Sequence, residues 1–124
     1  MKVPISKSIF TQEDMNHVLE PLSDGWVVQG PKVERFESMW SQFTESKFSI
    51  ATTSCTSALF LSIDSLDLHS DDEVIVPALS WISTANVVEN VGCKIVFCDI
   101  DLSTFNVNVE DLSSKITKNT KAII

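Results

Sequence analysis

Between Ala51 and Leu59 the chain reads Ala-Thr-Thr-Ser-Cys-Thr-Ser-Ala-Leu, a run of hydroxyls where a short apolar stretch meets an apolar helix. A turn of this kind can hold an anion. The first N–H groups of a helix lack intrahelical acceptors, and the helix dipole favours negative charge there. Thr52, Thr53, Ser54, Thr56 and Ser57 add hydroxyl donors. Taken alone, Ser and Thr at this position are ordinary helix caps. A second segment gives the first one its meaning. Pro77 to Asn86 carries Trp81 just past another apolar run, and an indole offers a flat face on which a heteroaromatic ring can stack. By itself Trp81 reads equally well as a core aromatic. A phosphate cradle and an aromatic plate at neighbouring strand ends point to a phosphorylated, ring-bearing cofactor. The glycine spacing of a Walker loop or a dinucleotide fingerprint is absent, which disfavours ATP and NAD. Asp99 and Asp101 read as turn residues ahead of Ser103 and Thr104 more than as a carboxylate pair.

Periodicity and punctuation define the elements that must position these groups. Thr11-Gln12-Glu13-Asp14 has the form of a capping box, and Met15, Val18, Leu19 and Leu22 follow on one helical face. Asp24-Gly25 ends that helix. Pro31 suits the first turn of a second helix, whose inner side carries Val33, Phe36, Trp40 and Phe43. Between them, Gly25 to Gly30 is an apolar loop bracketed by glycines. From Phe48 the pattern alternates. It predicts a strand over Phe48–Thr52, a helix from Thr56 to about Leu66 and a strand over Glu73–Pro77. Next come a helix over Ser80–Val91 with Gly92 as its C′ residue and a strand over Lys94–Asp99. A short helix capped by Asn108 runs to about Ile116, and a last strand begins at Lys121.

Strands separated by helices imply βαβ units and an α/β fold with three α/β/α layers around a mostly parallel sheet. Sites in such folds lie outside the carboxyl ends of the strands, where both opening motifs fall. The chain is expected to be one partial domain, residues 1–124. Residues 1–47 form a helical segment with the glycine-bracketed loop, and 48–124 supply the first βα units. A parallel sheet needs both faces covered, so a strand that starts where the sequence stops reads as the front portion of a longer protein.

Composition removes whole classes of function. Hydrophobic residues make up 44% of the 124 positions and charged residues 21%, which is globular and not disordered. A net charge of −8 argues against a nucleic-acid surface, while still allowing local anion binding through N–H groups. Cys55, Cys93 and Cys98 form no C-x-x-C pair and stand far in sequence from His17 and His69, so no metal site is expected. The three cysteines read as buried free thiols of a reducing compartment. Met1 to Ile5 has no apolar leader, and no stretch approaches the ~20 apolar residues of a membrane span. A cytoplasmic chain without membrane partners is expected.

Seven segments, in register and without a gap, carry a family resemblance. They are Ser23-Asp24-Gly25-Trp26; Gln29-Gly30-Pro31-Lys32-Val33 with Phe36-Glu37; Thr53 to Leu59; Asp72 to Pro77; Ser80 to Asn86; Phe97 to Asp101; and Thr120 to Ile124. Together they resemble the DegT/StrS family of sugar aminotransferases, pyridoxal-phosphate (PLP) enzymes of the aspartate-aminotransferase architecture, fold type I. The resemblance implies that the chain is the N-terminal part of the large PLP-binding domain. It further implies that Cys55, Thr56 and Ser57 hold the cofactor phosphate and that Trp81 stacks on the pyridine ring. The Gly25–Gly30 loop, with Gly25, Trp26 and Gln29, is placed by the same likeness on the substrate side. Many members have glycine where this chain has Cys55. Cysteine disfavours positive φ, so an ordinary φ and a buried, non-nucleophilic thiol are expected there.

The family's Schiff-base lysine and the aspartate that faces the pyridine nitrogen match nothing up to residue 124. The eight lysines stand at positions 2, 7, 32, 47, 94, 115, 118 and 121, none in the family's lysine context. No catalytic residue is therefore assigned, and the isolated chain is expected to be inactive. The implied full-length enzyme, a homodimer, aminates a nucleotide-linked keto-sugar with glutamate as donor. Two other readings stand beside it: a sugar dehydratase of the same fold, in which histidine replaces the lysine, and a truncated non-catalytic remnant.

Overall fold

A computed structural model describes residues 3–124. Met1 and Lys2, which entered the leader and lysine readings, lie outside the described residues. The chain forms two compact units, Met1–Ala51 and Thr52–Ile124.

The first unit contains α1 (Gln12–Ser23) and α2 (Pro31–Thr44). The expected capping box forms at Thr11, whose hydroxyl accepts from the Asp14 N–H at 3.2 Å while the Asp14 carboxylate accepts from the Thr11 N–H at 2.7 Å. At the other end of α1, Gly25 takes φ +70°, Gly25 N–H donates to Leu22 and Trp26 N–H to Pro21. That is the Schellman pattern, which closes a helix through a left-handed residue. The apolar faces form as expected but do not face inward. Leu22, Phe36, Trp40 and Phe43 are all more than half exposed. Along α2 the rings form a stripe, with Phe36 and Trp40 centroids 6.1 Å apart and Trp40 and Phe43 6.0 Å apart. Among the described residues no element covers these faces. Within this unit, Glu37 on α2 accepts from the Ala51 N–H at 2.7 Å.

The second unit runs α3 (Cys55–Asp64), β1 (Glu73–Pro77), α4 (Ser83–Asn90), β2 (Lys94–Cys98), α5 (Val109–Lys115) and β3 (Thr120–Ile123). Its three strands are parallel in the order β2-β1-β3. β1 is central, and Val74, Ile75 and Val76 are fully buried. Successive side chains point to opposite faces, so burial of all three requires a cover on each side. Val74 and Val76 pack with Ile63, Val87, Val88 and Cys93, the face covered by α3 and α4. Ile75 lies on the opposite face, as does Cys98 by alternation from its pairing with Pro77. The Cys98 thiol reaches the Asn108 carbonyl at 3.6 Å, so the start of α5 covers this side. The result is the expected three-layer α/β/α arrangement.

Local signals again set the ends. Gly92, at φ +81°, closes α4 by the same Schellman pattern, with Gly92 N–H to Glu89 and Cys93 N–H to Val88. Asn108 caps α5 by accepting from Asp111 N–H at 2.9 Å. Two expectations change. Residues 48–52 form no strand, because no neighbouring strand among the described residues completes a ladder with them. Helix α4 begins at Ser83, leaving residues 78–82 as a loop.

Asp111 latches α5 to the sheet. Its carboxylate accepts from the Asp99 N–H just beyond β2 at 2.7 Å and from the Lys115 ammonium at 2.6 Å. The Lys115 bond, then the Asp99 N–H, hold the carboxyl below the usual aspartate range. A depressed folded-state pKa contributes stability that is complete above the unfolded value and is lost as pH falls through the folded value. The melting temperature is therefore expected to hold above the ordinary carboxylate range and to fall below it. Asp14, Glu20 and Asp101, also depressed, add to that fall. Asp111→Asn is expected to lower the plateau and to make the acid limb shallower without abolishing it. Identical acid limbs for both proteins in thermal melts would contradict the latch.

Candidate functional site

The hydroxyl-rich turn is organised around the first turn of α3. Ser54 is the N-cap, in extended backbone, and its Oγ accepts from the Ser57 N–H at 3.1 Å. Ser57 Oγ lies 3.0 Å from Ser54 Oγ and 3.4 Å from Thr53 Oγ1, and Thr52 Oγ1 donates to the Ser54 carbonyl at 2.9 Å. These bonds hold the turn from within. The N–H groups of Cys55 and Thr56, first and second in the helix, can have no intrahelical acceptor and meet none among the described residues. No charged residue occurs from Phe48 to Ile63, so the turn itself brings no carboxylate to the positive end of the α3 dipole. Cys55 takes an ordinary helical φ, as expected, but its side chain is exposed and not buried. The first residue of α3 projects from the open end of the helix, whereas the core-facing residues Leu59, Phe60 and Ile63 lie further along.

Trp81 sits in the loop that follows β1. It is 78% exposed and takes no part in the core formed by the described residues. The indole has no hydrogen-bond or aromatic partner among the described residues. Chain direction brings the turn and the tryptophan to one edge. α4 returns the chain from the carboxyl end of β1 to the amino end of the parallel β2, so its first residues stand at the carboxyl edge. α3 packs on α4 and feeds the amino end of β1, so its first turn also opens toward that edge. Asp99 follows β2 there as well. Its neighbour Asp101 accepts from the Ser103 and Thr104 N–H groups at 2.7 and 3.1 Å, turn chemistry as expected.

Gly25, Trp26 and Gln29 belong to the first unit and form a closed loop of their own. The Trp26 indole N–H donates to the Gln29 carbonyl at 3.2 Å. Gly30 lies directly beneath that ring: a Cβ there would come 2.2 Å from Trp26 Nε1. Val18, Leu22, Trp26, Val27 and Val28 wall an apolar cleft of about 530 Å³, with Lys32 at its rim. Lys32 is bonded to Glu20.

A profile of the DegT/DnrJ/EryC1/StrS aminotransferase family matches residues 8–124. The chain belongs to this family. It is 38% identical to the spore coat polysaccharide biosynthesis protein SpsC of Bacillus subtilis, over 98% of this chain and 31% of SpsC. Among solved structures, a Streptococcus pneumoniae protein described as a sugar aminotransferase, in its PLP form, superposes with a TM-score of 0.91 at 32% identity. That match covers 99% of this chain and 31% of the other. The Escherichia coli GDP-4-keto-6-deoxy-D-mannose-3-dehydratase with bound hydrated PLP gives 0.92 at 29% identity, over 98% and 33%. This DegT-family chain thus spans about a third of the length of the relatives it matches. The family's cofactor is PLP, and solved relatives include both PLP and pyridoxamine-phosphate forms.

The residues present fit that group: two unpartnered N–H donors at a helix start, hydroxyls beside them, and a bare indole at the same sheet edge. Five of the eight lysines are engaged elsewhere. Lys32, Lys94, Lys115 and Lys121 pair with Glu20, Asp71, Asp111 and Asp72, and Lys47 lies over the Phe48 ring. The sequence reading missed two features of this edge, the Asp111 latch and a hydroxyl pair between Ser80 and Thr84 at 2.9 Å. A four-residue spacing of hydroxyls was the available signal, but it gains meaning only once the loop and helix boundary at Ser83 is known. No helix of the described chain is long and apolar enough to cross a membrane.

The Gly30 geometry can be tested directly. Gly30→Ala is expected to keep the helical content while swinging the half-exposed Trp26 ring off Gln29, at a cost of about 1 kcal/mol for the lost bond. The Trp26 emission, isolated by subtracting a Trp26→Phe spectrum, should move to the red. An unchanged emission would contradict the contact.

Proposed function

We propose that this chain is the part of a PLP-dependent sugar aminotransferase that grips the phosphate and ring of the cofactor. The observation that carries the reading is the pairing, at one sheet edge, of two unpartnered N–H groups on Cys55 and Thr56 with the exposed Trp81 indole. In this reading the Cys55 and Thr56 amides and the Thr56 hydroxyl donate to the phosphate. Ser57 supports them, since its own N–H is held by Ser54 and its hydroxyl joins the Thr53–Ser54 cluster. The Trp81 face orients the pyridine ring and keeps water off one side of it. When bound, PLP supplies the electron sink that amino-group transfer requires.

The longer enzyme of this reading acts on a keto-sugar carried by a nucleotide, with glutamate as amino donor. It is a cytoplasmic homodimer whose Schiff-base lysine comes from outside residues 1–124, since none of the eight lysines here stands in the family's lysine context. Gly25, Trp26 and Gln29 form a substrate-side wall. One observation favours a second reading, the dehydratase: the match to the E. coli 3-dehydratase is as close in fold as the match to the aminotransferase. Release of free ammonia, rather than amino transfer to the sugar, from the longer protein would decide for it.

The grip is tested on this chain by titration with PLP. Cys55→Pro removes one N–H at a position where proline fits a helix, and the loss of a charge-assisted bond is expected to weaken binding about tenfold. Pyridoxal, which lacks the phosphate and so loses all of these bonds, should bind more weakly than PLP binds the Cys55→Pro variant and be insensitive to that substitution. Binding should be reversible on dialysis. Equal affinities for wild type and Cys55→Pro would contradict the cradle.

A further inference from the structure

The loop that presents Trp81 has an unusual construction. Leu79, Trp81 and Ile82 are all more than half exposed, so no apolar packing pins them. The N-cap of α4, Ile82, offers no side-chain acceptor to the helix. Besides the first helical bond, from the Asn86 N–H to the Ile82 carbonyl at 3.1 Å, three hydrogen bonds hold the segment instead. The Ala78 N–H donates to the Cys98 carbonyl at 2.7 Å, fixing the start of the loop to the end of β2. The Thr84 N–H donates to the Trp81 carbonyl at 2.9 Å. The Thr84 hydroxyl meets the Ser80 hydroxyl at 2.9 Å. The last two enclose Trp81: its carbonyl is held from Thr84, and the residue before it is tied to the same Thr84 side chain. Thr84 is itself 8% exposed and sits on the buried side of α4. A buried hydroxyl needs a partner, and Ser80 Oγ is the one it has among the described residues. Thr84 is therefore a fixed post, and Ser80 and Trp81 are tethered to it.

We infer that Ser80 and Thr84 are positioning residues that hold the Trp81 backbone so that its indole stands ready to receive a ring. The inference rests on the reading of Trp81 as the ring plate. A free indole in an untethered loop samples many orientations, and ordering it on binding weakens affinity. The tether removes that cost beforehand and leaves the phosphate cradle untouched.

The test uses the 124-residue chain, with PLP as probe, the induced circular dichroism of its chromophore as spectroscopic signature, and inorganic phosphate as a competing ligand. Thr84→Val keeps the shape and removes the hydroxyl. It is expected to weaken PLP about five-fold and to reduce the induced signal, with phosphate affinity unchanged. Thr84→Ser should restore both. Should Thr84→Val fail to fold, Ser80→Ala at the exposed end of the tether is expected to give the same pattern. Wild-type affinity and signal in the folded variants, alongside a clear loss in Trp81→Leu, would overturn the positioning role alone. No loss in Trp81→Leu would overturn the ring-plate reading and the inference with it.

Discussion

The second unit depends on one constraint: the central strand β1 is buried on both faces. Val74 and Val76 require α3 and α4 on one side, and Ile75 requires a second cover on the other. Each such aliphatic side chain contributes about 1.5–3 kcal/mol on burial, so the strand cannot lose either layer cheaply. Parallel pairing then forces every connection to cross back over the sheet. Helix starts gather at the carboxyl edge as a consequence, and with them the N–H groups of Cys55 and Thr56 and the loop bearing Trp81. The site is a product of topology before it is a product of any single residue.

A second consequence concerns charge. An acidic chain holds its candidate anion site without a lysine or arginine among the residues of the turn. The N–H dipoles of α3 supply the positive end, and the stretch from Phe48 to Ile63 carries no charge of its own. Three lysines of the second unit are held in pairs, Lys115 with Asp111 on α5, Lys94 with Asp71 and Lys121 with Asp72. At the turn itself, backbone dipoles and hydroxyls, with an aromatic face at the same sheet edge, stand in place of a cation.

Much of this was legible in the sequence where the signal is local. Thr11 with Asp14, Gly25, Gly92 and Asn108 each mark a helix end within a few residues, and each does what its type dictates. The apolar cores of β1 and β2 were equally plain, as was the hydroxyl-rich turn. What was hidden depends on distant partners. Residues 48–52 have strand-like composition but lack a neighbouring strand with which to complete a ladder. Met15, Phe36 and Trp40 lie on well-formed apolar faces, yet periodicity cannot say whether anything covers them. Cys55 was read as buried because cysteine usually is, and its place at the first position of α3 exposes it. The Ser80–Thr84 pair and the Asp111 latch cross element boundaries that shift by a few residues between reading and structure.

The most direct measurement of the central claim is amide and indole chemical-shift mapping of the ¹⁵N-labelled chain as PLP is added. The account predicts that the largest shifts fall on the Cys55 and Thr56 amides and on the Trp81 indole N–H, with Trp26 and Trp40 little changed. Shifts concentrated on Trp26 and the cleft around Val27 and Val28, with the start of α3 silent, would contradict it.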